Sequence, residues 1–531
     1  MPEPVELRGL PASPGVAAGP LFRLDAGLAR RAPTGDARAE SMALEEAIAR
    51  SIEQIDALMA EANAEAAGIL EFQAAMLADD ELTAPALAAI AAGSDADSAW
   101  QSALADQIAG YQAAGDEYFR ARAGDVADMR DRVLRNLAGV GAPVPPAGSI
   151  LMGGDLTPTR FLEADWSRGG GIALGQGSAT SHVAMLARTR GVPMVVGLGT
   201  IPFDGHGEAL VDGEAGAVTL SPGETERAGF DLRRTTLAEA GKRAERFRHA
   251  DATTADGARV RVMINVARAE EVDAIDVATC DGVGLMRTEF LFTGDALPGE
   301  EVQYRAYASV LEWAAGRPVT IRTIDAGGDK PVKGLTVEEP NPFLGLRGVR
   351  LSLERPDVFR VQLRALARAA VHGNLKVMLP MVTVPEEITR SAALLDQTAA
   401  ELAGEGVAAS RPQLGIMVEV PAVAITPEAF SSAAFFSIGS NDLTQYVTAA
   451  ARDSHRVAAL NDAANPAVMR LIREVAAFGV RTGMEVSLCG DAAGDPALVP
   501  ALIRAGLRTL SVAPSALGTV KAAISGVRLD E

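Results

Sequence analysis

FFSIGSND, residues 435–442, runs from an aromatic, apolar stretch into an amide and a carboxylate. Such a run reads as a short strand covered on both faces that ends in chemistry. Seven other segments have the same make: VRVMINVA (260–267), GVGLM (282–286), VTIRTID (319–325), LKVMLPMV (375–382), LGIMVEV (414–420), VSLCGD (486–491) and LRTLSV (507–512). Each is followed by enough chain for a crossover helix. Eight such units within residues 258–531 predict a closed (β/α)8 TIM barrel, with an open doubly wound sheet as the competing arrangement. The chain ends in VKAAISGVRLDE soon after the eighth unit, so ring closure depends on a short final stretch.

Working toward the N-terminus, residues 223–257 include ETERAGFDLRRTTLAEAGKRAERFRHA (224–250), a charged segment expected to be a linker helix. Residues 140–222 return to Gly and Pro punctuation around SILMGG, GGGIALG, VPMVVGLG and EALVDG. They predict a compact α/β or β-rich unit built around one short helix, and residues 1–30 read as strands and turns. Between these pieces, residues 36–139 are rich in Ala, Glu, Gln and Arg. Leu44, Ile48, Ile52, Ile55 and Leu58 recur at steps of four and three, which predicts amphipathic helices in a hairpin or small bundle. An Ala-rich low-complexity tract is the competing reading. The expected fold class is multidomain α/β.

A chain of 531 residues exceeds one ordinary domain, since domains average about 150 residues. Apolar residues at 48% and charged ones at 22% supply ample core. The 69 acidic against 49 basic residues give a formal charge of −20, which argues against nucleic acid and anionic membranes as partners. Any phosphate site must be a local basic pocket. Two cysteines fit a reducing compartment. No basic start with an apolar run marks a signal peptide, and no uninterrupted apolar run of about 18 residues marks a membrane span. A cytoplasmic location without membrane insertion is the expectation.

Barrel chemistry collects where strands end at their C-terminal face. Those ends carry Arg287 and Glu289, Arg322 and Asp325, Glu419, Asn441 and Asp442, and Cys489, with Arg452 in a following loop and Lys330 and Arg347 nearby. Buried charges are costly unless paired or bound. Arginine forks beside carboxylates call for a phosphorylated carboxylate with a divalent cation. Glu419 and Asp442 suit a magnesium ion that shares phosphate oxygens. Arg287 with Glu289 is the simple ion-pair alternative, and Lys330 and Arg347 are either further candidates for this site or ordinary loop salt bridges. Cys489 is either inert packing or, with a thiol pKa near 8.5, a proton donor to a carbanion-like carbon. Cys280 reads as core.

GQGSATSHVAMLARTRGVP (175–193) has the turn glycines Gly175 and Gly177, the cap candidates Thr180 and Ser181, and a helix over about 182–190 closed by Gly191 and Pro193. His182 falls on its first turn, where free N–H groups favour a phosphoryl group on the imidazole. Neutral histidine is a competent nucleophile near pH 7. Simple packing or capping is the alternative. The other histidines show no metal-ligand spacing.

The segments GSATSHVAMLARTRGVPMVVG, DGVGLMRTEFLF, RTIDAGGDKP, NPFLGLR, GIMVEVPA, FFSIGSNDLTQY and LCGDAAGD together resemble Enzyme I of the bacterial phosphotransferase system, in order and from ASPGVAAG to about residue 525. The resemblance implies that 1–35 and 140–222 form a phosphohistidine α/β domain with His182 as the phosphorylated residue. It implies that 36–139 is an inserted helical subdomain that binds a histidine-containing phosphocarrier protein, and that 258–531 is a phosphoenolpyruvate-binding barrel that also forms a homodimer. Arg287, Arg322, Asn441, Asp442 and Arg452 would hold phosphoenolpyruvate. Glu419 and Asp442 would hold Mg2+, and Cys489 would be the proton donor. The carrier is expected on a separate chain. A pyruvate-phosphate dikinase or phosphoenolpyruvate synthase shares the histidine and barrel but needs an ATP-binding domain. A catalytically idle carrier-binding regulator is the non-enzyme alternative.

Overall fold

The structure, a computed structural model, describes every residue except 1–2, 25–30, 62–63, 114–116, 142–143, 180, 204–205, 295, 329, 338, 452–456, 458–459 and 531. It divides into two compact units, Met1–Leu237 and Ala238–Glu531.

The first unit begins with β1 (Val5–Arg8), β2 (Leu10–Ser13) and β3 (Val16–Arg23). Five helices follow: α1 (Ala37–Glu61), α2 (Ala64–Leu77), α3 (Asp80–Ala91), α4 (Ala96–Ala113) and α5 (Glu117–Ala138). The predicted stripe is the reason they pack. Leu44 and Ile55 are fully buried against Trp100, Val126 and Val133, with Ile52 and Leu58 at the margin. The chain then returns to the sheet through β4 (Ile150–Gly153), α6 (Pro158–Glu163), β5 (Gly171–Leu174), α7 (His182–Arg190), β6 (Met194–Val196), β7 (Glu208–Asp212) and β8 (Ala217–Leu220). The sheet order is β1-β8-β7-β3-β4-β5-β6-β2. Its β3-β4-β5-β6 part is parallel and its remaining pairs are antiparallel. Where one short helix was expected in 140–222, two form. The extra one, α6, has Thr157 as N-cap accepting from the Arg160 N–H, and Pro158 at its first position.

α8 (Glu224–Arg248) is the expected linker helix and has no buried residue. Within the first unit, Arg227 grips Glu208 with two bonds of 2.6 Å. Within the second, the Lys521 ammonium donates to the carbonyls of Arg248, Ala250 and Thr279 at 2.7–2.9 Å. The boundary between the units falls inside this one continuous helix.

The second unit is the closed barrel. Its strands are β9 (Arg261–Val266), β10 (Val283–Met286), β11 (Val319–Arg322), β12 (Leu375–Leu379), β13 (Gln413–Val418), β14 (Phe435–Ile438), β15 (Glu485–Leu488) and β16 (Thr509–Val512). β16 pairs in parallel with β9, Leu510 opposite Val262 and Val512 opposite Ile264, so the ring shuts and the open-sheet alternative is excluded. Outside it lie α9 (Glu300–Trp313), α10 (Val349–Glu354), α11 (Pro356–Ala369), α12 (Pro385–Gly404), α13 (Pro421–Ile425), α14 (Ser440–Thr448), α15 (Pro466–Thr482), α16 (Val499–Arg504) and α17 (Leu517–Ile524). The first crossover departs from expectation. The chain from β9 to β10 holds two 3-10 segments, Ala269–Ala274 and Val277–Thr279, in place of an α-helix. One large core lies between strands and helices. A second, small cluster of Leu285, Met378, Met417, Phe435 and Cys489 is drawn from alternate strand residues and fills the ring.

Candidate functional site

Strand ends β10, β11, β13, β14 and β15 bring their polar residues to one cavity, lined by Arg287, Arg322, Lys330, Glu419, Asn441, Asp442 and Cys489 among others. Short parallel strands with apolar sides leave only this rim for charge.

The charges form a dry lattice. Asp325 is fully buried and receives Arg347 Nε at 3.2 Å on one oxygen and Arg347 Nη2 at 2.9 Å on the other. Arg322 Nη1 stands 3.2 Å and Lys330 Nζ 3.5 Å from the same carboxylate. Burial raises the Asp325 pKa, but Arg322, Arg347 and Lys330 outweigh it and hold the group well below the usual carboxylate range. Arg347 also donates to Asp442 Oδ1 at 3.2 Å and to the Tyr446 hydroxyl at 3.3 Å. The apolar flanks of NPFLGLR place this arginine inside the protein with no solvent exposure, so its salt bridges to Asp325 and Asp442 are buried ones. The Arg287–Glu289 pairing fails. Glu289 faces Arg322 at 3.1 Å and accepts the Asp325 N–H at 3.0 Å.

Donors are left over. Arg322 is buried, yet its Nε and Nη2 have no hydrogen-bond acceptor, and the approach to Glu289 lacks hydrogen-bond geometry. Arg287 lines the cavity, and among the described residues no side-chain hydrogen bond or ion pair engages it. Two guanidinium groups therefore wait for oxyanion oxygens.

The acids on the same cavity are set differently. Glu419 is almost fully buried, and its Oε1 accepts the Met381 N–H at 2.7 Å. Burial first, then Asp442 and Asp325, push its carboxyl up to about 8. A buried carboxylate beside a second one is what a divalent cation neutralises. Among the described residues no cluster of three or more His, Cys, Asp or Glu could ligate a metal, and the carboxylates on this cavity's lining are Glu419 and Asp442. That donor set fits a hard cation that also takes water and ligand oxygens. Gly439 makes room here, since a Cβ on it would sit 3.0 Å from Glu419 Oε2.

Asn441 is locked by Asp491, donating to its carboxylate at 2.9 Å and accepting its N–H at 2.8 Å. The Cys489 thiol is 2% exposed, and burial pushes it up to about 11. It is a thiol at neutral pH, able to give a proton and ill suited to attack. Gly490 follows, where any Cβ would collide with Ser440 Oγ at 2.0 Å. Cys280 is core, as expected. Arg452 lies outside the described residues.

His182 belongs to the first unit. It opens α7, half-buried, beyond the carboxyl ends of the parallel strands β4 and β5. Ser181 is the N-cap, its hydroxyl accepting the Ala184 N–H at 3.2 Å. Thr180 lies outside the described residues. Gly191, with φ 65°, closes the helix. Arg188 donates to the carbonyls of Ala12 and Ala179 at 2.6 and 2.8 Å, which fixes the helix against β2 and its own entry loop. Sequence reasoning thus located both groups of residues. It missed the depth of Arg347 and the part of Tyr446, whose only signal is the aromatic closing FFSIGSNDLTQY.

Three family models match the chain: "PEP-utilising enzyme, N-terminal" over residues 8–122, "PEP-utilising enzyme, mobile domain" over 145–216, and "PEP-utilising enzyme, PEP-binding domain" over 241–529. The chain is 36% identical to the phosphoenolpyruvate-protein phosphotransferase of Geobacillus stearothermophilus, across 99% of this chain and 94% of that one. It is 35% identical to the protein of the same name from Priestia megaterium, across 96% and 92%. A solved structure of an Enzyme I N-terminal domain aligns with 44% of this chain and 99% of its own, at 27% identity and a TM-score of 0.33.

Proposed function

The chain belongs to the phosphoenolpyruvate-protein phosphotransferase family, and from that premise we propose which of its residues carry the reaction. The reading rests on one observation: a single cavity holds two unsatisfied guanidinium groups, two carboxylates and a firmly protonated thiol. Arg287 and Arg322 hold the phosphate and carboxylate of phosphoenolpyruvate, with Asn441, Asp442 and Arg452 completing the grip. Glu419 and Asp442 hold Mg2+, which when bound offsets phosphate charge.

The His182 imidazole attacks phosphorus in line. The bridging P–O bond breaks and its electrons leave with the enolate of pyruvate. Cys489 gives its proton to the enolate methylene carbon, which yields pyruvate and a thiolate. The phosphohistidine is stabilised at the start of α7 by the helix N–H groups, then passes its phosphoryl group to a histidine of a separate phosphocarrier protein. Residues 1–35 with 140–222 serve as the phosphohistidine domain, 36–139 as the carrier-binding subdomain, 223–257 as the linker and 258–531 as the phosphoenolpyruvate domain. Delivery of His182 to the barrel requires the linker to permit reorientation. A homodimer through the barrel is supported by large apolar side chains left exposed, Val337 and Leu344 between β11 and α10 and Ile425 at the end of α13. No helix among the described residues is long and apolar enough to cross a membrane, in keeping with cytoplasmic work.

The test is His182→Ala with labelled phosphoenolpyruvate. Protein labelling and pyruvate release should both vanish. Persistent label on another residue overturns the assignment.

A further inference from the structure

The first unit holds a cavity of about 340 Å3 walled by α1, α5 and the end of α6. Arg132, Arg135, Asn136, Gln54 and Glu163 line it. Arg132 is buried and mostly committed, Nη1 donating to Gln54 Oε1 at 3.0 Å and Nη2 to Glu163 Oε1 at 2.6 Å, while its Nε has no acceptor. The amides of Gln54 and Asn136 satisfy each other at 3.1 Å and Ser51 at 2.8 Å.

Arg135 is the anomaly. Among the described residues its guanidinium makes no hydrogen bond or ion pair, and its Nη2 is shut away from water without an acceptor. A guanidinium does not lose its proton at physiological pH, so the charge stays. Burial disfavours that charge and outweighs the attraction of Asp128 and Glu163, which Arg160 and Arg132 oppose. Asp128 is itself engaged by the hydroxyls of Thr157 and Thr159. Glu163 Oε2, without a hydrogen bond, faces Arg160 at 4.0 Å. Three guanidinium groups thus share this corner with two carboxylates, and the missing partner is an oxyanion.

We propose that this cavity is a second anion site, distinct from the phosphoenolpyruvate cup, which takes a small phosphorylated or carboxylated molecule on the Arg135 fork. Its position matters because α5 belongs to the helical bundle, while α6 shares a core with the histidine helix through Phe161, Val183 and Leu186. An occupant would bridge the two.

The test uses the full chain with methyl labels on Ala, Leu and Val, titrated with inorganic phosphate and, separately, malonate. Saturable shifts at Ala57, Leu58 and Val140, which line the cavity, are expected with at least one anion, and the anion that responds identifies the head group. Arg135→Gln should weaken that response at least tenfold, with labelling of His182 by phosphoenolpyruvate unchanged within twofold. If that variant does not fold, Arg135→Lys, which keeps the charge and loses the fork, should weaken it at least threefold. No response to either anion, or equal binding by the variant that folds, overturns the proposal.

Discussion

The barrel cup and the histidine helix solve opposite problems. In the cup, Arg322, Asp325, Arg347 and Asp442 are nearly or wholly removed from water and hold one another in a fixed lattice. At α7 a single imidazole stands half-exposed at a helix start, supported by one serine cap and an apolar underside. The cup must present charge already oriented, because reorientation during phosphoryl transfer adds to the barrier. The imidazole must remain reachable by two partners in turn, so its surroundings are kept simple.

The largest expected effect separates these designs. His182→Ala should abolish turnover at a stability cost of about 1 kcal/mol, the usual figure for one substitution at a half-buried position. Arg322→Ala should abolish turnover and also cost about 3 kcal/mol, since it leaves Glu289 a buried carboxylate without its cation and takes from Asp325 one of three, Arg347 and Lys330 remaining. Thermal unfolding of both variants beside an activity assay checks the contrast. Equal melting temperatures would break it.

Cys489→Ala should slow pyruvate formation by about 10²–10⁴-fold, the usual contribution of a positioned acid. With the thiol pushed up to about 11, the wild-type rate should not fall through loss of this acid between pH 7 and 9. A pH–rate profile that collapses near 8.5 in the wild type and not in the variant would count against the buried-thiol picture.

Glu40 extends the comparison to the helical bundle. Burial works against its charge, but the Thr34 hydroxyl and N–H, the Ala96 N–H and Arg31 prevail and lower it to about 2. A depressed carboxylate gives stability that is present above about 4.5 and fades as pH falls toward about 2. Glu40→Gln should therefore lose stability at pH 7 and lose less on acidification than the wild type, as read by helical circular dichroism. The smallest effect belongs to Ser181→Ala, which removes the α7 cap at a cost of about 1 kcal/mol and should weaken His182 phosphorylation only modestly. Hydrogen exchange at the first turn of α7 reports it.

Much of this was legible beforehand because the signals are local. Apolar runs that end in Arg, Glu, Asn or Cys predicted strand positions and the faces they serve, and a cap, a histidine and a closing glycine predicted α7 to the residue. The gaps are equally physical. For Arg347 the choice between a site residue and a loop salt bridge stayed open, because its sequence neighbours do not reveal that Asp325, after β11, and Asp442, on α14, converge on it. A pair between Glu289 and its near neighbour Arg287 was the competing reading, whereas the geometry of adjacent parallel strands delivers Glu289 to Arg322. The β9–β10 connection holds 3-10 segments in place of its expected helix.

By itself, the chain determined its alternation of strands and helices, its acidic surface and the chemical kinds of its reactive groups, because periodicity, composition and capping act over a few residues. Tertiary structure alone decided which charges neutralise each other, which donors stay unsatisfied, and how far burial shifts Glu419 and Cys489. Those outcomes depend on desolvation and on partners far apart in sequence, and both come into being only when the ring closes.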